Sequence, residues 1–168
     1  MRGHLAYLSY VLRHKWFVFV ACFQMKVPTW RALIHDWHKF LPKEFWPYSR
    51  SFYNRDGSKR NKRDATGAYD PTKVGGDFDL SWLSHQRAKH HWQGWASIGD
   101  GGTLKSLPIP EVYLREMVAD WIGAGRAQGK CDPLGWWMAN GSKMILHEDS
   151  RVELHCLVTK WDATHGGK

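Results

Sequence analysis

The stretch Ile34-His35-Asp36-Trp37-His38-Lys39-Phe40 decides how the rest of the chain is read. An imidazole and a carboxylate side by side, with a lysine three residues on, suit metal ligands with a cation nearby better than a plain surface helix. Thr29 can cap a helix over residues 30–40, which Pro42 then ends. On that helix Trp30, Ile34, Trp37 and Leu41 form an apolar back with Leu33 beside them, and His35, Asp36 and Lys39 take the other side. Taken alone, such a face is also compatible with ordinary solvated surface. Three other places answer to it: His14 upstream, then His85, His90 and His91, then Asp120.

Upstream, residues 5–23 lack Gly and Pro and read as a long helix. His14 shares a face with Tyr7, Tyr10, Val11, Phe17, Val18 and Ala21, so it points into apolar surroundings. A satisfied core histidine is the plain alternative there. Arg13, His14 and Lys15 interrupt the apolar run at its middle, where charge is most costly in a bilayer. No small-residue cleavage site follows, so a buried helix is expected rather than a signal or a stable membrane insertion.

Downstream, residues 54–76 are rich in Asn, Asp, Gly, Lys and Arg and keep no periodicity. They read as a mobile insertion or lid, in which Lys59, Arg60, Lys62 and Arg63 either meet phosphates or are merely solvated. A helix starting after Asp77 or Asp79 carries His85 and leads into Lys89-His90-His91-Trp92. One regular helix cannot aim His85, His90 and His91 at one point, so they converge only if it ends or bends before His90.

Pro110 opens the next helix, whose apolar stripe is Tyr113, Met117, Trp121 and Ala124. Asp120 lies within that stripe, about 20° from Tyr113, where a carboxylate is costly unless paired or metal-bound. A short helix at 134–139 stops at Asn140-Gly141. Leu154, Leu157, Val158 and Trp161 then give a closing amphipathic helix. No run of alternating strands, internal repeat or linker interrupts the chain. The expected fold is all-α, one compact helical domain over residues 1–168.

The balance of 24 Lys+Arg against 16 Asp+Glu gives +8, with ten His uncounted. It favours an anionic partner: a phosphorylated metabolite, nucleic acid or an anionic membrane surface. The eleven Trp suit cores, base stacking and membrane interfaces alike. Cys22, Cys131 and Cys156 are odd in number and scattered, which argues against a disulfide framework or a thiolate zinc site and fits a reducing cytoplasm.

The order His14, then His35-Asp36, then Asp120 resembles the HD-domain superfamily of metal-dependent phosphohydrolases, which are helical. The stretches LRHKWFVF, IHDWHKFLP, HHWQGW and EMVADWIGAG look more closely like a family of small uncharacterised bacterial and phage proteins. The superfamily resemblance implies that His14, His35, Asp36 and Asp120 bind one metal. Its binuclear members imply that Lys39 follows the pair functionally and that His85, His90 and His91 bind a second ion, with Asp36 bridging. The His14–His35 spacing is shorter than usual, which leaves His4 or His38 as alternatives to His14. The Gly-Tyr-Pro signature is absent, so cyclic di-nucleotide hydrolysis is not supported.

The implied activity is hydrolysis of a nucleotide or related phosphoester through a metal-activated hydroxide, with two ions of zinc, iron or manganese. Asp36 and Lys39 are the catalytic candidates, and Lys39, Arg87 and Trp92 are candidates for binding substrate. Trp37 is a further candidate for base stacking, and Lys89 for phosphate binding. The competing reading is a non-catalytic nucleic-acid-binding protein with a structural metal site. Oligomeric state is left open.

Overall fold

The computed structural model describes residues 1–70, 73 and 75–166, and the chain is mostly helical. Among the described residues seven α-helices follow one another: α1 (Arg2–Gln24), α2 (Thr29–Ile34), α3 (Pro42–Phe52), α4 (Asp77–His85), α5 (Glu111–Gln128), α6 (Pro133–Asn140) and α7 (Glu148–His165). Between α4 and α5 the chain forms a hairpin of β1 (Ala96–Ile98) and β2 (Leu104–Ser106), antiparallel with Ser97 opposite Lys105. The sequence reading expects no strand here. Three residues per strand are too few to show an alternation, and Gly102, at φ 78°, turns the chain between them.

α1 and α5 form the central pair and make the most extensive contact between any two elements. Their close approach depends on Gly123. A Cβ there would lie 2.3 Å from Val18 Cγ2, 2.6 Å from Val18 N and 2.8 Å from Val18 Cα. Neither Gly123 nor Gly125 ends this helix, which runs unbroken to Gln128, and Gly123 serves packing rather than termination. Val18, Met117, Val118, Ile122, Leu154 and Val158 are core residues of the main cluster, which joins α1, α5 and α7. A second cluster of Tyr7, Val11, Tyr48, Tyr53 and Phe78 ties the first half of α1 to α3 and α4. His14 lies on α1 between Val11 of one cluster and Val18 of the other.

α1 itself is two-faced rather than simply buried: Tyr7, Val11, His14, Val18 and Ala21 are inside, and Leu5, Leu12, Trp16 and Phe23 are exposed. Among the described residues, no helix is long and apolar enough to cross a membrane.

The largest departure from expectation is at the opening stretch. One helix over residues 30–40 does not form. α2 ends at Ile34, Asp36 adopts a left-handed backbone (φ 53°, ψ 22°), and a single 3-10 turn covers Trp37–Phe40. Pro42 stands at the start of α3, where its missing N–H costs nothing. A left-handed non-glycine residue is uncommon, and Asp is among those that tolerate it best. The turn reverses the expected faces. His35 and Asp36 are buried, and Trp30, Leu33, Ile34 and Trp37 are exposed.

The basic stretch after α3 is built from two similar tight turns. Tyr53 bridges Lys59 and Arg63 bridges Tyr69, with Gly57 and Gly67 at positive φ in the matching places. The second turn is anchored on α6, where Asn140 Nδ2 donates to Thr66 O at 3.1 Å and Lys143 Nζ donates to Thr66 Oγ1 at 2.7 Å. Residues 71, 72 and 74 of the expected 54–76 loop lie outside the described residues.

Candidate metal centre

α1, α5 and the turn after α2 bring the first group together. His14 Nε2 lies 3.4 Å from Asp36 Oδ2 and 3.3 Å from Asp120 Oδ1, and His35 Nε2 lies 3.6 Å and 3.5 Å from the same two oxygens. These separations can be tested against a metal. Four N and O ligands at bond lengths of about 2.0–2.1 Å around a tetrahedral ion stand about 3.3–3.4 Å apart. The group is close to that spacing. Its buried polar atoms are also unsatisfied: both nitrogens of His14, His35 Nε2 and Asp36 Oδ2 have no hydrogen-bond partner among the described residues. Lys39 Nζ does lie 2.5 Å from Asp36 Oδ2, an ion pair without hydrogen-bond geometry. Buried polar atoms without hydrogen bonds are costly, and a cation would satisfy His14 Nε2, His35 Nε2 and Asp36 Oδ2 at once, though not His14 Nδ1 on the far side of its ring.

A second group gathers at the other oxygen of Asp36. His90 Nε2 lies 3.2 Å and His38 Nε2 3.8 Å from Oδ1. His91 Nε2 and His85 Nε2 are 3.0 Å apart. α4 ends at His85 and the chain turns before His90, which is the bend the three imidazoles need to converge. The combinations Asp36–His38–His85 and Asp36–His90–His91 each place one donor atom per residue near a common point. Buried His, Asp and Glu groups here could hold metal ions.

Two buried glutamates that the sequence reading did not single out organise these imidazoles from behind. Glu116 on α5 lies 3.1 Å from His35 Nδ1 and 3.6 Å from His90 Nδ1. Glu44 on α3 lies 2.9 Å from His38 Nδ1 and 3.5 Å from His85 Nδ1. Each carboxylate therefore engages the Nδ1 side of two rings and leaves their Nε2 atoms facing the centre, the outer arrangement typical of metal-binding histidines. Arg31 holds Glu116 in place through Nε at 2.7 Å.

The electrostatics fit ligands awaiting a cation. Burial pushes the His14, His85 and His91 imidazoles below their usual range, which favours the neutral, metal-binding form. His35 goes the other way. Burial disfavours its charge, but the nearby Asp36 and Asp120 carboxylates and the hydrogen bond to Glu116 raise it to about 10. Burial likewise opposes ionised Asp36 and Asp120, yet Lys39 and His35 hold Asp36 well below the usual range, and His35 and His14 hold Asp120 low. Against burial, hydrogen bonds from His38 and His85 bring Glu44 down to about 2.

All seven expected ligands, His14, His35, Asp36, His85, His90, His91 and Asp120, thus lie in one connected cluster. His38 joins the second group rather than replacing His14. His4 instead bonds Ser49 Oγ at 2.8 Å, away from the cluster. Of the expected substrate-binding residues, Lys39 is at the centre. Arg87 is exposed, and Trp92 packs against the main core. Lys89 is exposed, with its Nζ 5.7 Å from the Tyr113 ring.

No curated protein and no solved structure matches the chain. Residues 3–160 match the model of DUF5662, a family of unknown function, and the chain belongs to that family.

Proposed function

We propose that the chain is a metal-dependent phosphohydrolase with an HD-type helical centre, acting on a nucleotide or a related small phosphoester. The observation that carries this reading is the placing of Asp36. Its Oδ2 faces His14 and His35 and its Oδ1 faces His90 and His38, so one carboxylate stands between two groups of imidazoles. Imidazole cannot bridge in this way. His14, His35, Asp36 and Asp120 would hold one ion, and Asp36 with His38, His85, His90 and His91 a second. Nitrogen and oxygen donors without thiolate suit zinc, iron or manganese. Ions bound there would lower the pKa of water toward about 7 and neutralise charge on a phosphoryl group.

The chain's own residues supply position and selectivity. Glu44 and Glu116 hold the rings so that their Nε2 atoms point inward. Lys39 shares Oδ2 with the first group, so with an ion held at that oxygen its ammonium would be free to meet a phosphate oxygen. The side chains of His35 and Asp36 are fully buried, whereas Lys39 is 13 %, Asp120 14 % and His38 21 % exposed. Substrate would enter on that side.

The test is metal analysis of the purified protein, followed by a panel of nucleotides and other phosphoesters with added manganese, iron or zinc. Two equivalents of metal and phosphate release from one substrate class are expected, with both lost in Asp36→Ala. Bound metal without turnover of any phosphoester would reduce the centre to a structural one. Failure to retain metal would end the reading.

A further inference from the structure

The apolar surface that the reversed turn leaves outside has no role in the metal centre. At 100° per residue, Leu5, Leu8, Leu12, Trp16, Phe19 and Phe23 fall within about 80° of arc on α1. Four of them, Leu5, Leu12, Trp16 and Phe23, are more than half exposed. His14 is on the opposite side of the helix, facing the centre. α2 is pinned beside this stripe by Lys15, whose Nζ donates to Leu33 O and to His35 O, both at 2.8 Å. Trp30, Leu33 and Ile34 on α2, and Trp37 just after it, are also more than half exposed. The four on α1 alone present on the order of 500 Å², within the roughly 300–600 Å² of the largest apolar patch of a typical monomer, and the four on and after α2 add about as much again.

The charge around this face has one sign. Residues 1–35 contain Arg2, Arg13, Lys15, Lys26 and Arg31 and no Asp or Glu. Arg2 and Arg13 border the stripe on one margin and Lys15 on the other. Of the acids that reach this region from α5, Glu116 is buried against Arg31 and Glu111 is paired with Arg115. A second copy of the chain seated here would bring like charges together. An anionic bilayer offers the opposite charge, and Trp and Phe suit its headgroup boundary.

We propose that the outer face of α1 and α2 is a docking surface for an anionic lipid bilayer, on which α1 lies flat without crossing. The metal centre, on the inner side of α1, would then stand about one helix diameter, roughly 10 Å, from the headgroups. This does not depend on the hydrolase reading.

The full chain is tested by co-sedimentation with vesicles of phosphatidylcholine alone and of phosphatidylcholine mixed with phosphatidylglycerol. Binding to the anionic vesicles only, weakened by salt, is expected. Leu12→Glu with Trp16→Glu should weaken it about tenfold or more, with helical content and bound metal unchanged. Three results would each overturn the proposal. One is no binding to either vesicle, and another is equal binding by the variant. The third is a dimer in sedimentation that the variant abolishes while vesicles stay unbound, which would make the face a self-contact.

Discussion

Lys39 Nζ lies 2.5 Å from Asp36 Oδ2, the same oxygen that faces His14 and His35. One buried carboxylate oxygen thus faces both an ammonium and the imidazoles of the first group. Lys39→Met should therefore act differently in the two states. Without metal it removes the nearer of the two cations that hold Asp36, leaving only His35, a loss of up to about 3–5 kcal/mol for a buried pair. With metal the ion supplies the missing positive charge, and the ammonium no longer competes for Oδ2. Thermal melts with chelator and with saturating manganese or zinc would measure this. The destabilisation should be large in chelator and small with metal, and the variant should bind metal more tightly than the parent. Equal destabilisation in both conditions would contradict the shared-oxygen account. On the hydrolase reading, the same variant keeps its metal and loses mainly turnover.

The two glutamates divide the centre unequally. Glu44 engages His38 and His85, both of the second group, whereas Glu116 engages His35 of the first and His90 of the second. Loss of such an outer carboxylate commonly costs about 10–100-fold in metal affinity. Glu44→Gln should weaken only the second of two binding steps in a calorimetric titration, and Glu116→Gln should weaken both. A Glu44→Gln protein in which the first step weakens as much as the second would show that the two groups are not separate sites.

These glutamates also mark where the sequence stops being readable. His14 and Asp120 are legible because each is a polar residue on an apolar helical stripe. His85, His90 and His91 are legible because their spacing demands a bend, and α4 ends where that bend is needed. Glu116 stands four residues before Asp120, on the same side of α5, and that spacing was a usable signal. Glu44 gives none: in the first turn of α3 it reads as an ordinary partner of the helix dipole. The faces of residues 30–40 come out reversed because a helical wheel presumes a continuous helix. The left-handed Asp36 breaks that presumption without any Gly or Pro to announce it.

The shifted groups predict the pH profile of the chelated protein. His14, His85 and His91 have folded values below 6.5, so below that pH the unfolded chain binds protons that the folded chain refuses. Stability should fall as pH drops through 6.5, and fall further below about 4.5 as Glu44, held near 2, and the depressed aspartates lose their advantage. His35 has the opposite sign. Raised to about 10, it contributes fully below 6.5 and its contribution is lost as pH rises toward 10. Melting temperatures in chelator should peak near neutrality, and His35→Gln should flatten the alkaline limb and also lessen the acid loss that comes from Asp36 and Asp120, whose low values it supports. A profile that keeps rising from pH 7 to 10 would contradict the charge state given to His35.

Gly123→Ala tests whether the α1–α5 contact sets the centre as well as the core. The new Cβ would meet Val18 N at 2.6 Å and Val18 Cα at 2.8 Å. Those are backbone atoms that no side-chain rotation can move. The gain in helix propensity, about 1 kcal/mol, is opposed by overpacking of about 1–3 kcal/mol or more, and the rigid contact puts this site at the upper end. A fall in melting temperature of roughly 3–8 °C is expected. Because His14 and Asp120 face each other one turn from this contact on both helices, parting the helices should also weaken the first metal step. Adding Val18→Ala removes the Cγ2 contact at 2.3 Å but leaves the backbone ones, so rescue should be partial. A Gly123→Ala protein with unchanged melting temperature and metal content would show that α1 can shift without disturbing His14, and that the centre is positioned by the turn at Asp36 instead.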